Sequence, residues 1–118
     1  MNLVVDPDDP TPPYEQVRRQ LSDLVGSGAL APGDRVPPLR QLAGDLGLAV
    51  GTVARAYREL EAEGLLASRR GGGTRVSDQA RPLPAAARRA RLRELAASYV
   101  RHAQALGATD DEIRAALD

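Results

Sequence analysis

The sequence contains no cysteine, no lysine, no tryptophan and no phenylalanine. Without cysteine it has no disulfides and no thiol chemistry. A single histidine, His102, cannot build a zinc-type cluster, and it belongs on an exposed or interfacial part of the C-terminal tail. The aromatics are three tyrosines, so Leu, Val and Ala must form the core, which favours helices over a β-sandwich. No run approaches the ~20 apolar residues of a membrane span, and no signal-peptide pattern opens the chain. The expectation is a soluble cytoplasmic protein. One histidine, few serines and no lysine leave no nucleophile–base constellation, so neither catalysis nor a cofactor is expected. The missing lysine also removes the P-loop that three glycines beside positive charge could otherwise suggest.

What is present is arginine. It supplies all 16 basic residues, against 16 acids. The net charge of zero argues mildly against a nucleic-acid partner, but the distribution is uneven. Residues 1–34 carry six acids and two Arg, residues 35–81 eight Arg and five acids, and residues 82–118 six Arg and five acids. Positive charge thus concentrates around "SRRGGGTRV", Ser68 to Val76, where a local patch steers better than a net total suggests. Guanidinium groups suit bidentate contacts with phosphate and guanine, although an arginine-rich proteome would give the same composition.

At 118 residues the chain reads as one domain with a small appendage. "NLVV" is a short apolar piece with the makings of a strand, and "DPDDPTPP" must be extended or turning. A helix starts near Pro12–Pro13, carries Tyr14, Val17, Leu21, Leu24 and Val25 at helical spacing, and ends at Gly26 to Gly28. "LAPGD" is a turn. A second helix runs from about Pro38 to Leu46, and Gly47 stops it. A third runs from about Val50 to Glu63, with Val53, Tyr57 and Leu60 inward. "LLASRR" and "TRVS" read as two strands joined by the glycines in a two-residue Gly–Gly turn. Residues 85–106 form a long helix, and Thr109 with Glu112 fits a capping box for a last one. Two helices joined by a tight turn and followed by a hairpin make a winged helix-turn-helix. The fold expected is mainly α with a small β-hairpin, residues 1–80 binding DNA and residues 81–118 forming a linker and a two-helix dimerisation tail.

The stretch from Pro12 to Val76 resembles the DNA-binding domain of GntR-family bacterial transcription regulators. The pieces that carry the resemblance are Pro13–Tyr14–Glu15–Gln16, Pro32–Gly33–Asp34–Arg35, Arg40 with Leu42–Ala43, and "YRELEAEGLL" followed by a Gly–Thr hairpin. Residues 77–118 are too few for a ligand-enclosing domain, and with "DPDDPTPPYEQV" they look like the YtrA branch. The resemblance implies a homodimeric regulator, a repressor by expectation, on a palindromic double-stranded operator. A small-molecule effector would have to enter at the dimer cleft, or there is none. The competing class is a winged helix that binds protein and never DNA.

The resemblance carries a DNA contact onto Arg40 and another onto Thr52. An Arg at the start of the second helix can reach phosphate or guanine, and a Thr hydroxyl or methyl can reach phosphate or thymine. Arg55 either contacts DNA or pairs with Glu59 at i+4. Where the family often has Ser–Arg–Asn or Asn–Pro–Asn, this chain has Ala49–Val50–Gly51. Ala49 cannot cap, Val50 removes a guanidinium, and Gly51 allows close backbone approach. Base reading should therefore lean on thymine methyls and DNA shape. In the wing, Arg69, Arg70 and Arg75 flank the hairpin, and Gly72 stands where the family usually places Arg, so the tip is bare. In the tail, Leu92, Leu95, Tyr99, Ala103 and Leu106, then Ile113 and Leu117, are the candidate dimerisation residues.

Overall fold

The computed structural model describes residues 1–118, which divide into two compact units, Met1–Pro82 and Leu83–Asp118. The first contains α1 (Pro13–Gly26), α2 (Leu39–Leu46), α3 (Val50–Ala62), β1 (Leu66–Arg69) and β2 (Gly73–Val76). The second contains α4 (Ala85–Ala105) and α5 (Asp110–Ala115).

In the first unit α1 and α2 pack on α3. Val17 and Leu21 of α1 and Val53 and Leu60 of α3 are fully buried, joined by Val25, Val36, Leu42, Ala43, Ala56, Tyr57, Leu66 and Val76. Each large apolar side chain buried this way contributes about 1.5–3 kcal/mol. Pro13 opens α1, where its missing N–H costs nothing. Gly47 closes α2 in the left-handed conformation, φ 68° and ψ 31°, which lets the chain turn into α3 within three residues. The mainly helical winged helix-turn-helix expected from the sequence is the observed fold.

Three details differ from the sequence reading. Residues 2–5 form no strand. Gln side chains of α1 act as their pairing edge instead: Val4 N–H donates to Gln20 Oε1 at 3.0 Å, and Gln20 Nε2 donates back to the Val4 carbonyl at 2.7 Å. Gln16 does the same with the backbone of Asp6. The glycine turn is not a two-residue one. Arg69 pairs with Gly73, so Arg70, Gly71 and Gly72 form the connection, and Gly72 N–H donates to the Arg69 carbonyl at 3.0 Å. With Gly71 third in the turn at φ 73°, this is a type II geometry, which demands positive φ there. Gly73 also has positive φ, whereas Gly72 does not. Finally, the "LAPGD" turn delivers a third extended segment to the hairpin. Val36 N–H donates to the Thr74 carbonyl, and Val76 N–H donates to the Asp34 carbonyl, bridging Arg35 to Arg75.

The tail unit is a small helical hairpin. Tyr99 of α4 donates its hydroxyl to the Ile113 carbonyl of α5 at 2.7 Å, and Ala103 and Ile113 are buried. Thr109 and Glu112 form the reciprocal capping box, and these bonds hold the Glu112 carboxyl below its ordinary range.

Candidate nucleic-acid interface

The site is organised by α3. Its inward stripe fixes which side faces out: Gly51, Arg55 and Arg58 are exposed opposite Val53, Ala56, Tyr57 and Leu60. Thr52 is half-buried in the first turn, and Val50 is 38% exposed. No side chain caps the helix at Ala49. Tyr57 sets the position of α3 against the segment leading to α2, donating its hydroxyl to the Pro37 carbonyl at 2.7 Å. Burial pushes the Tyr57 phenol up to about 12. Arg40 is exposed in the first turn of α2, an element packed directly on α3.

Arg55 is engaged within the protein. Its guanidinium carbon lies 3.7 Å from the centroid of the Tyr14 ring, and its Nε lies 3.7 Å from Glu59 Oε1. Glu59 in turn stands 3.9 Å from Arg18, which also pairs with Glu15 and with Glu63. The Arg18 guanidinium, hydrogen-bonded to Glu15, holds that carboxyl below its ordinary range and is itself raised. Of the two alternatives for Arg55, the structure places its side chain at Glu59. Such partly exposed pairs are worth about 1 kcal/mol or less each, so the chain of contacts steadies α3 against α1 without locking Arg55.

In the wing, Arg70 is exposed at the second position of the turn. Arg69 pairs with Asp78 at 3.2 Å, both well exposed. Arg75 is half-buried and donates to the Gly33 carbonyl at 3.1 Å. A shallow recess of about 180 Å³ lies between them, lined by Ala67, Arg69, Arg75, Asp78 and Gln79. Arg35, absent from the candidates drawn from sequence, lies against the tip, its Nη2 3.5 Å from the Gly72 carbonyl. A single bridged residue after a turn leaves no periodicity to read, so only the Pro–Gly turn placed ahead of it hinted at its position.

The family description "Bacterial regulatory proteins, gntR family" matches residues 13–76, the span that holds α1 to β2. The chain belongs to the gntR family. Among its relatives, the HTH-type transcriptional regulator Rv1152 of Mycobacterium tuberculosis is 45% identical over 101 residues, covering 86% of this chain and 78% of that protein. The HTH-type transcriptional repressor YtrA of Bacillus subtilis is 40% identical over 79 residues, covering 67% of this chain and 61% of the relative. Among solved structures, the DNA-binding domain of AraR in complex with operator ORX1 superposes with a TM-score of 0.56 at 31% identity, covering 64% of this chain and 93% of that one.

As a gntR-family protein the chain is a DNA-binding transcription regulator, and its relatives are regulators rather than enzymes. In a winged helix-turn-helix the second helix of the pair enters the major groove and the wing lies over the backbone or an adjacent minor groove. Here those elements are α3 and the β1–β2 hairpin, on which Gly51 and Arg70 are exposed and Thr52 and Gly72 half-buried, while Arg40 is exposed on α2. Arg69 and Arg75 belong to the same hairpin but spend their guanidinium groups on Asp78 and the Gly33 carbonyl. No helix is long and apolar enough to cross a membrane.

Proposed function

We propose that this gntR-family protein is a homodimeric repressor that binds a palindromic operator, using residues 1–80 to contact DNA and the tail to pair subunits. The observation that carries the dimer is the apolar surface of the tail unit. Ala103 and Ile113 are buried, and the half-buried Tyr99 spends its hydroxyl on the Ile113 carbonyl. Leu92, Leu95, Leu106 and Leu117 remain exposed, at 62, 48, 88 and 72%. Four leucines left in water on so small a unit favour a second copy, because doubling a small half-site reader raises its effective concentration on DNA. A pair of identical readers demands an operator with matching two-fold symmetry. Repression is supported by the relative named a repressor.

On DNA, Arg40 contacts phosphate or a guanine edge, Thr52 and the backbone at Gly51 meet the major groove, and Arg70 and Gly72 meet the backbone from the wing. Arg55, Arg69 and Arg75 contribute by exchanging an internal partner for a phosphate. A gel-shift series against salt tests this together with sedimentation. Arg70→Ala should weaken binding about fivefold with little change in sequence preference, and the salt slope should fall by about 0.9 per lost phosphate contact. Leu92→Glu with Leu95→Glu should convert dimer to monomer while the first unit stays folded. A monomeric wild type, or a protein that shifts no duplex at low salt, would refute the proposal. The second result would favour a protein-binding winged helix.

A further inference from the structure

Resting on the DNA-binding reading, we propose that the exposed face of α4 makes a second contact with DNA, in which Arg89, Arg93 and Arg101 lie along phosphates that flank the stretch held by α3 and the wing. Arg93 stands four residues after Arg89, and Arg101 eight after Arg93 with Ala97 between them, so the three share one i, i+4 ridge of the helix. At about 1.5 Å per residue that ridge is about 18 Å long. All three arginines and Ala97 are exposed. Glu94 is the only acid of α4, and it pairs with Arg91 at 3.5 Å, so nothing on the helix neutralises the ridge. Arg89 and Arg93, one turn apart, oppose each other. The imbalance continues upstream: residues 79–93 hold five arginines and no acid, in a chain whose net charge is zero. The ridge is also separate from the apolar stripe. Arg93 is one position past Leu92 and two before Leu95, spacings that point side chains apart on a helix, so tails paired through the leucines leave it open. Such a line of charge fits a duplex. DNA presents a phosphate every ~3.4 Å of axis along each strand, which a row of guanidinium groups can follow, whereas a compact anion engages one group at a time. The ridge is also tethered to the DNA-binding unit. Ala80 is still buried in the core of that unit, and only residues 81–84 join it to α4, a connection that spans less than about 20 Å even when extended. The start of α4 is thus carried to the duplex with the wing.

The test is fluorescence anisotropy with a mixed-sequence duplex several helical turns long, repeated across salt concentrations, because phosphate contacts do not depend on base identity. Wild type is compared with the triple variant Arg89→Gln, Arg93→Gln, Arg101→Gln and with Arg114→Gln, which removes one exposed charge of α5, off the ridge. Glutamine keeps the helix propensity of arginine, and melting curves and sedimentation check fold and assembly. Each lost phosphate contact takes about 0.9 from the log–log salt slope, so the triple variant should be shallower than wild type by about 2.7 per chain and bind about tenfold more weakly. Arg114→Gln should match wild type. A second readout locates the helix. The chain has no cysteine, so Ala97→Cys carries a benzophenone on a unique thiol within the ridge, and light should cross-link it to the duplex. A wild type that binds while the triple variant's slope falls by less than about 0.9 overturns the ridge and leaves the DNA-binding reading standing. So does an Arg114→Gln that flattens the slope as much per charge as the triple variant, since that is diffuse attraction and not contact. Failure of the Ala97→Cys label to cross-link in a protein that binds duplex overturns the ridge as well; if the triple variant then also dissociates subunits, the arginines hold an acidic surface of a second copy instead. A wild type that binds no duplex at low salt overturns both the ridge and the reading beneath it.

Discussion

Among the three glycines of the wing, Gly72 alone has a backbone φ that an L side chain adopts without strain. Its φ is not positive, but a β-carbon there would meet the Arg69 β-carbon at 3.2 Å, an atom fixed to the backbone, so the turn must give slightly to admit it. Gly71 and Gly73 stand at φ 73° and 68°, where any L side chain is strained. Gly72→Arg should therefore fold after a small adjustment of the turn and tighten duplex binding, whereas Gly71→Ala and Gly73→Ala should each lose about 1–2 kcal/mol of stability in thermal melts. If Gly72→Arg binds no better, the tip lies away from DNA. The same scale holds the anchor of α3. Tyr57→Phe strips the Pro37 carbonyl of its donor and should cost about 1 kcal/mol. Because the folded phenol is raised to about 12 from an ordinary 10.0, its contribution is complete below pH 10 and is lost as pH climbs towards 12. Denaturant titrations from pH 9 upward should show wild type losing stability more steeply than Tyr57→Phe; parallel slopes would contradict the assignment.

At the scale of elements, α3 begins without a side-chain cap. Ala49 sits at φ −66° and ψ 145°, a backbone geometry already suited to a capping serine. Ala49→Ser should raise stability by about 1 kcal/mol in denaturant unfolding, and a neutral result would mean the orphan N–H groups already have adequate partners. The helices were readable in the sequence because 3.6-residue periodicity and glycine or proline punctuation act locally, as in α1 between Pro13 and Gly26. The Thr109–Glu112 capping box was readable for the same reason. The wing was harder. Two strands were visible, but the placing of positive φ at Gly71 and Gly73 followed from register, which "GGG" alone does not specify. The Arg35 bridge and the gln-to-backbone pairing of residues 4–6 join segments remote in sequence and have no local signature. Arg55 is ambiguous in the sequence because Glu59 is a local neighbour, while its stacking on Tyr14 of another helix has no local signature. In the tail, one apolar stripe turned out to serve two tasks, with Tyr99 and Ala103 turned to α5 and Leu92 and Leu95 left outside.

For the whole molecule, a net charge of zero conceals a division of labour. The segment that builds the wing and α3 carries the positive excess, while the N-terminal residues carry a net excess of acids. Membership of the gntR family makes the chain a DNA-binding regulator, and the exposed leucines of the tail give the reason to expect two such readers on one operator. The bare start of α3, Ala49–Val50–Gly51, leaves few groups for bidentate base contacts, so part of the selectivity should come from thymine methyls and DNA shape. Selection of bound sequences from a random duplex pool tests this account most directly. The expected result is an inverted repeat whose half-sites lie about one helical turn or a multiple of it apart, with weakly specified guanines opposite residues 49–54. A single unrepeated half-site, or one strongly fixed by guanines read through those residues, would contradict it.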